Sequence, residues 1–118
     1  MNLIKTESSI DKITEELKNE DLSPPDLGKL LTQLSGWHSY YCQLMKRVQL
    51  AKPDKWLNIK KSGQLKEYSD TRTDMEWEAT KPGKHEIALK WEIKRIEGMM
   101  QAVRSRLYVD EMSAKNQV

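Results

Sequence analysis

The stretch that decides the fold is KHEIALKWEIKRIEGMMQAVRSRLYV, residues 84–109. Its apolar residues form a seam with spacings of four, three, four, three and four, namely Leu89, Ile93, Ile96, Met100, Val103 and Leu107. This spacing averages near the 3.5-residue repeat of helices that pack along a coiled-coil seam. We therefore expect one long amphipathic helix that packs against one or more other long helices.

A second long helix is predicted earlier in the chain. Its apolar positions alternate spacings of three and four, and they are Leu27, Leu30, Leu34, Trp37, Tyr41, Leu44, Val48 and Ala51. Ser23 can cap the start of this helix, and Pro24 fits its first position. Pro53 is expected to end or kink it near Lys52, because proline lacks an amide donor and clashes with the preceding turn.

A short N-terminal helix is predicted from Ser8 or Ser9 to Glu20, with either serine as its cap. The run 21–26, DLSPPD, then separates it from the second helix. Asp74–Thr80 is expected to be a helical turn or an irregular connection. The tail after Tyr108 loses its apolar pattern and is expected to fray.

The predicted fold is all-α: an extended helical hairpin of two long amphipathic helices with a short N-terminal helix. A single hairpin in 118 residues buries little surface, so we expect it to self-associate. The domain organisation predicted from composition is an acidic N-terminal helix at 1–22 and a hairpin at 23–118. The second part is expected to carry both oligomerisation and nucleic-acid binding.

Composition argues against several classes of protein. There is no apolar run long enough to cross a membrane and no apolar signal-peptide core, so we expect a cytoplasmic protein without membrane partners. A single cysteine, Cys42, excludes an intramolecular disulfide framework. The sequence has no glycine-rich phosphate loop, no HExxH motif and no nucleophile elbow. We therefore expect no enzymatic activity, no catalytic residues, no metal and no cofactor.

Charge is distributed unevenly along the chain. Residues 1–26 hold three lysines and seven acidic residues, whereas residues 27–68 hold eight basic residues and two acidic ones. The excess of basic residues in the middle of the chain indicates that this middle part binds a polyanion. The acidic segment fits either a protein partner or the basic surface of the same chain.

The candidate nucleic-acid-binding residues lie between positions 46 and 72, where basic residues alternate with aromatic ones. They are Lys46, Arg47, Lys52, Lys55, Trp56, Lys60, Lys61, Lys66, Tyr68 and Arg72, with Tyr40 nearby. Proteins that bind single strands combine a positive track for phosphates with aromatic faces on which bases stack. The alternative is that these lysines only solvate the bend of the hairpin, while Trp56 and Tyr68 close its core.

The seam of the last helix is a candidate for both core and subunit contact. The candidate set is Leu89, Trp91, Ile93, Ile96, Met100, Val103 and Leu107. Trp91 lies off the main seam and widens the apolar face near the start of the helix. Met99 and Val109 suggest a second stripe that could meet a neighbouring subunit.

The end of the last helix resembles a known family. The run 101–108, QAVRSRLY, is similar to the Ala-Ile-Lys-Ser-Arg-Gly-Phe run of the UvsY-like recombination mediator proteins of T-even phages. That family also has a tryptophan-bearing first long helix, a basic stretch before a Ser/Gly turn, a polar connector and a final long helix. The corresponding features here are residues 37–48, 60–63 with Tyr68, 69–84 and 91–106.

The resemblance implies rings of identical subunits that bind single-stranded DNA and help to load a recombinase onto DNA coated by single-strand-binding protein. It implies that Lys60, Lys61 and Lys66 contact DNA, and that Arg104 and Arg106 lie nearer the assembly surface. The chain departs from the family pattern in its short C-terminus and its acidic N-terminal helix. The short C-terminus leaves the ring and its subunit number open.

Three functional hypotheses follow. The first is a single-stranded DNA-binding mediator, a phage-type accessory protein with recombinase and single-strand-binding protein as further partners. The second is a structural coiled-coil component of a virion or assembly, without DNA binding. The third is a small inhibitor that docks its acidic segment, 7–26, on a basic channel of a host nucleic-acid enzyme.

Overall fold

The computed structural model describes residues 3–116. Within this range the chain forms four helices and no strand: α1 Leu3–Glu16, α2 Pro24–Lys61, α3 Asp70–Ala79 and α4 Lys81–Asn116. The predicted all-α class, with two long helices and a short N-terminal helix, is confirmed.

The chain divides into two compact units. The first contains residues up to His38 and from Arg95 onward, and the second is Ser39–Lys94. Each long helix contributes one stretch to each unit. The boundary of each unit therefore falls within α2 and within α4.

The first unit combines α1 with one stretch of α2 and one of α4. Its buried apolar residues are Ile10, Ile13, Leu27, Leu30, Leu34, Ile96, Met100 and Val103. Arg106 holds the end of α1, because its guanidinium donates to the carbonyl oxygens of Leu17 and Asn19 at 3.2 and 2.9 Å. Arg95 adds an ion pair with Asp11. The acidic N-terminal helix is therefore docked within this unit.

The second unit is built around Trp77 of α3. The other buried apolar residues here are Tyr41, Leu44, Met45 and Leu89. Gly83 is buried at the junction of α3 and α4, where an added Cβ would lie 1.8 Å from the carbonyl oxygen of Trp77. Any larger residue would therefore have to displace the backbone at this junction. In the predicted seam of α2, Val48 is half-buried and Ala51 is exposed.

The end predicted for α2 at Pro53 is wrong, because the helix continues through this proline to Lys61. Pro53 cannot donate a hydrogen bond to the carbonyl of Gln49, and its ring crowds that carbonyl. Both residues are exposed, so water can solvate that carbonyl. Beyond the proline, Trp56 and Ile59 are half-buried, and their packing supports the continued helix.

The bounds predicted for the other helices also need correction. α1 already includes Ser8 and Ser9, so neither serine caps it, and it ends at Glu16. The fraying predicted for the tail 110–118 is wrong over residues 110–116, which continue α4, and residues 117 and 118 lie outside the described part of the chain. These residues carry an i,i+4 ion pair between Lys115 and Glu111, with 3.9 Å between Nζ and Oε1.

The polar connector contains a full helix. Residues 70–79 form α3, and Ser69 caps it by accepting a hydrogen bond from the backbone N–H of Arg72 at 3.2 Å. The start of α4 follows at once, because the Thr80 hydroxyl accepts from the backbone N–H of Gly83 at 3.1 Å. The predicted cap of α2 is present in the same form, with the backbone N–H of Asp26 donating to Ser23 Oγ at 3.3 Å.

Gly36 offers a direct test of the α2 interior. It is exposed, and no atom lies within 4 Å of an added Cβ. Alanine should fit and lower the conformational entropy of the unfolded chain, so we expect Gly36→Ala to raise the free energy of unfolding by about 1 kcal/mol. Urea unfolding followed by circular dichroism measures this change. A loss of stability would contradict an open α2 surface at this position.

Candidate nucleic-acid interface

The loop between α2 and α3 forms the centre of the candidate interface. The backbone N–H of Tyr68 donates to the carbonyl of Lys60 at 2.9 Å, which folds the loop back on the end of α2. Gly63 permits this path, because an added Cβ would lie 2.1 Å from the carbonyl oxygen of Lys66. The result is an open concavity of about 620 Å³, lined by Ser62–Ser69 and Arg72.

Two predicted residues of α2 bind acidic residues of α3. The Trp56 indole N–H donates to Asp74 Oδ1 at 2.8 Å, and Lys60 Nζ donates to Asp70 Oδ1 at 2.5 Å. Both pairs form because each helix supplies its partners four residues apart, on one face. The Asp70 carboxylate raises the pKa of Lys60. The ammonium of Lys60 also lies 5.4 Å from the centroid of the Trp56 ring.

Lys52 has a similar internal role. Its Nζ lies 3.2 Å from Oε1 of Glu86 and 5.5 Å from the centroid of the Trp77 ring. Glu86 is buried, and the same oxygen accepts from the Trp77 indole N–H at 3.4 Å. A buried carboxylate needs such partners, because an unpaired buried charge is costly. Lys52 therefore stabilises the core of the second unit.

Tyr68 and Arg72 form a stack at the rim of the concavity. The guanidinium carbon of Arg72 lies 4.1 Å from the centroid of the Tyr68 ring. The Arg72 side chain remains exposed, with a loose contact of 3.9 Å between its Nε and Oε1 of Glu76. Unpaired bases stack on arginine planes as well as on aromatic rings. The stack on Tyr68 and the exposure of Arg72 match the geometry that such stacking requires.

Five predicted cations remain available to a ligand. They are Lys46, Arg47, Lys55, Lys61 and Lys66, all exposed. Across residues 3–116, none of the recorded ion pairs involves them. Together with the Tyr68–Arg72 stack, these five residues are called the basic surface below. By helical spacing Lys46, Arg47 and Lys61 lie toward one side of α2, and Lys55 lies about half a turn around the helix from Lys46. All of them belong to the second unit.

The structure thus separates the ten predicted binding residues into two groups. Seven form the basic surface, whereas Lys52, Trp56 and Lys60 have partners inside the unit. Tyr40, noted as a nearby aromatic residue, is half-buried and packs edge-to-face on Tyr41 with ring centroids 5.7 Å apart.

Some residues at this interface were not identified from the sequence. Three of these are acidic residues: Asp70 binds Lys60, Asp74 binds Trp56, and Glu86 binds Lys52. Leu50 and Leu57 are exposed apolar residues of α2. By helical spacing they share a face with Lys46 and Lys61. Their exposure could have been predicted, because neither leucine belongs to the apolar seam of α2.

The seam residues of α4 are distributed between core and surface. Leu89, Ile96, Met100 and Val103 are buried, while Ile93 and Leu107 are half-buried. Trp91 is 69% exposed, so it adds almost nothing to the core of its unit. Met99 is half-buried and its sulfur accepts from the Thr14 hydroxyl at 3.4 Å, whereas Val109 is 60% exposed.

Fold and site together define a class: a small all-α protein with an exposed basic surface on one of its two units. No protein-family model, curated protein or solved structure matches the chain. Over the part of the chain that the structure describes, no helix has the length and apolar character needed to cross a membrane. The same part of the chain has no cluster of three or more potential metal ligands.

Proposed function

We propose that the second unit binds single-stranded DNA through the basic surface. The observation that carries the proposal is the presence, in one compact unit, of five exposed cations without ion pairs and an exposed arginine stacked on a tyrosine. Binding of unpaired strands needs both, because phosphates require positive charge and splayed bases require a flat surface. Double-stranded DNA would use the charges alone.

Each group of residues has a distinct role in this proposal. The lysines and Arg47 neutralise phosphates, and a base stacks on the outer face of the Arg72 guanidinium. Lys60 and Trp56 act as positioning residues, because their bonds to Asp70 and Asp74 fix α3 against α2. These bonds hold the Tyr68–Arg72 stack in place, although neither residue needs to touch DNA.

The cellular role that we propose is that of a recombination mediator. Its support is the resemblance of residues 101–108, and of the order of features from residue 37 to 106, to the phage mediator family. In this role the protein would assist the replacement of single-strand-binding protein by a recombinase. These two proteins are the proposed partners beyond DNA.

The binding proposal is tested by fluorescence anisotropy of a labelled oligo-dT at about 50 and 200 mM salt. Five phosphate contacts to a single strand predict a slope of about −3.5 in log K against log salt, so affinity should fall roughly 100-fold over this range. A duplex of the same length serves as comparator and should bind more weakly. Absence of binding at the lower salt concentration would contradict the proposal.

A structural assembly protein is the second candidate function. It is favoured by the exposed apolar residues of α4, which include Trp91, Tyr108 and Val109. This candidate predicts a multimer that never carries the oligonucleotide. The inhibitor hypothesis has less support, because α1 is docked by Arg95 and Arg106 within the first unit.

A further inference from the structure

The loop between α2 and α3 carries an apolar side chain that the fold does not bury. Leu65 is 101% exposed, so no residue of the described part of the chain covers it. A leucine in water forgoes the favourable free energy that its burial would supply. A ligand with an apolar surface would recover this free energy by covering Leu65.

Hydrogen bonds fix the path of the loop that holds Leu65. At its start, the backbone N–H and the hydroxyl of Ser62 both donate to the carbonyl of Ile59, at 3.1 and 2.6 Å. At its end, the backbone N–H of Tyr68 donates to the carbonyl of Lys60 at 2.9 Å. The exposure of Leu65 is therefore a property of a folded loop that is closed at both ends.

Leu65 lines the same concavity as Arg72. Arg72 is exposed, and its guanidinium carbon lies 4.1 Å from the centroid of the Tyr68 ring. Proteins hold an unstacked base by contacts on its flat faces, which aromatic rings, arginine planes and apolar side chains provide. The concavity supplies both a planar cation and an apolar side chain for such contacts.

The other side chains of the concavity suit the remaining parts of a nucleotide. Ser62, Gln64, Glu67 and Ser69 are exposed and line it, and their hydroxyl, amide and carboxylate groups can pair with the edge of a base. Lys66 also lines it and can pair with a phosphate. The volume of about 620 Å³ falls within the range of about 300 to 1,000 Å³ that small-ligand sites have.

We infer that this concavity takes one unstacked base of the bound strand, which Leu65 contacts on one face and the Arg72 guanidinium on the other. The inference rests on the proposed function, since the base belongs to the single strand that the basic surface binds. It also gives a physical reason for strand selectivity. A base in a duplex would first have to leave its pair and its stack, which costs free energy.

The test compares oligo-dT with an abasic oligonucleotide of the same length, which has the same phosphates and no bases. Anisotropy titrations at about 50 mM salt measure both affinities. The unmodified chain should bind oligo-dT more tightly than the abasic strand. Leu65→Ala should weaken oligo-dT binding by about 5- to 10-fold, near the lower end of the loss for one stacking contact. It should leave the affinity for the abasic strand unchanged, because it removes no charge.

Two further variants complete the test, and circular dichroism verifies that all of them are folded. Leu50→Ala is the matched control, the same change at a leucine that is 72% exposed on α2 and lies outside the concavity, and it should retain the affinity for oligo-dT. Leu65→Phe should bind oligo-dT at least as tightly as the unmodified chain, because a ring also stacks on a base.

The outcomes separate this inference from the proposed function. If both oligonucleotides bind, the inference is overturned by an unchanged oligo-dT affinity in Leu65→Ala, by equal losses for the two strands, or by an equal loss in Leu50→Ala. The proposed function would still stand in each of these cases. If neither oligonucleotide binds, the proposed function fails and the inference fails with it.

Discussion

The Trp77→Ala variant is expected to lose about 3 to 5 kcal/mol of folding free energy. Trp77 is 2% exposed and is the largest buried side chain of the second unit. Its removal opens a cavity that the surrounding helices can fill only in part. The buried carboxylate of Glu86 also loses the hydrogen bond that the Trp77 indole donates to it. In addition, the Lys52 ammonium loses its cation–π contact with the Trp77 ring.

Urea unfolding followed by circular dichroism measures this loss, and Trp91→Ala is the matched control. Trp91 is 69% exposed, so its replacement should change the stability of the folded monomer by no more than about 0.5 kcal/mol. Similar losses for the two tryptophans would contradict the placement of Trp77 at the centre of this core.

The helices could be predicted because their signals are local. The seam from Leu89 to Leu107 and the cap at Ser23 each depend on residues within a few turns, and a single sequence displays them fully. The core residues Leu27, Leu30, Leu34, Ile96, Met100 and Val103 follow from the same spacing. Periodicity also indicates the buried face of a helix, since that face is the apolar one.

The helix ends were predicted less well because their signals compete with tertiary packing. Pro53 is a strong local breaker, yet Trp56 and Ile59 pack beyond it and support the helix. Pro-Gly pairs usually mark turns, yet Pro82 and Gly83 lie in the first turn of α4, where a proline costs no intrahelical hydrogen bond. A local rule gives the free-energy cost of placing a residue such as proline in a helix, but it does not include the tertiary packing that can offset this cost.

The candidate site was predicted as a set of residues, but their partners were not predicted. The sequence grouped ten residues between positions 46 and 72, and all ten lie in one unit. It did not show that Asp70 and Asp74 bind Lys60 and Trp56, because those pairs depend on how α3 packs against α2. Only the charges that are not paired within the protein are available to a ligand. The structure is needed to identify them, because internal ion pairs depend on tertiary contacts.

Charge reversal at Lys61 and Lys66 should therefore reduce single-strand affinity more than the loss of one charge in Lys60→Gln does. Both are exposed and lie outside the recorded ion pairs of the described chain, so Lys61→Glu/Lys66→Glu leaves the internal pairs intact. Loss of two phosphate contacts should weaken oligo-dT binding by about 10- to 100-fold at 50 mM salt and reduce the salt slope by about 1.4. Anisotropy titrations at several salt concentrations measure both quantities.

The matched control is Lys12→Glu/Lys29→Glu, which makes the same change in net charge at two exposed positions of the first unit. Because neither lysine belongs to the basic surface, this variant should remove no phosphate contact of that surface and should leave the slope unchanged. The slope separates the two cases because it counts released counterions, and distant charges release none. Equal slopes and equal losses for the two double variants would show that net charge alone attracts DNA, and would contradict a binding surface on the second unit.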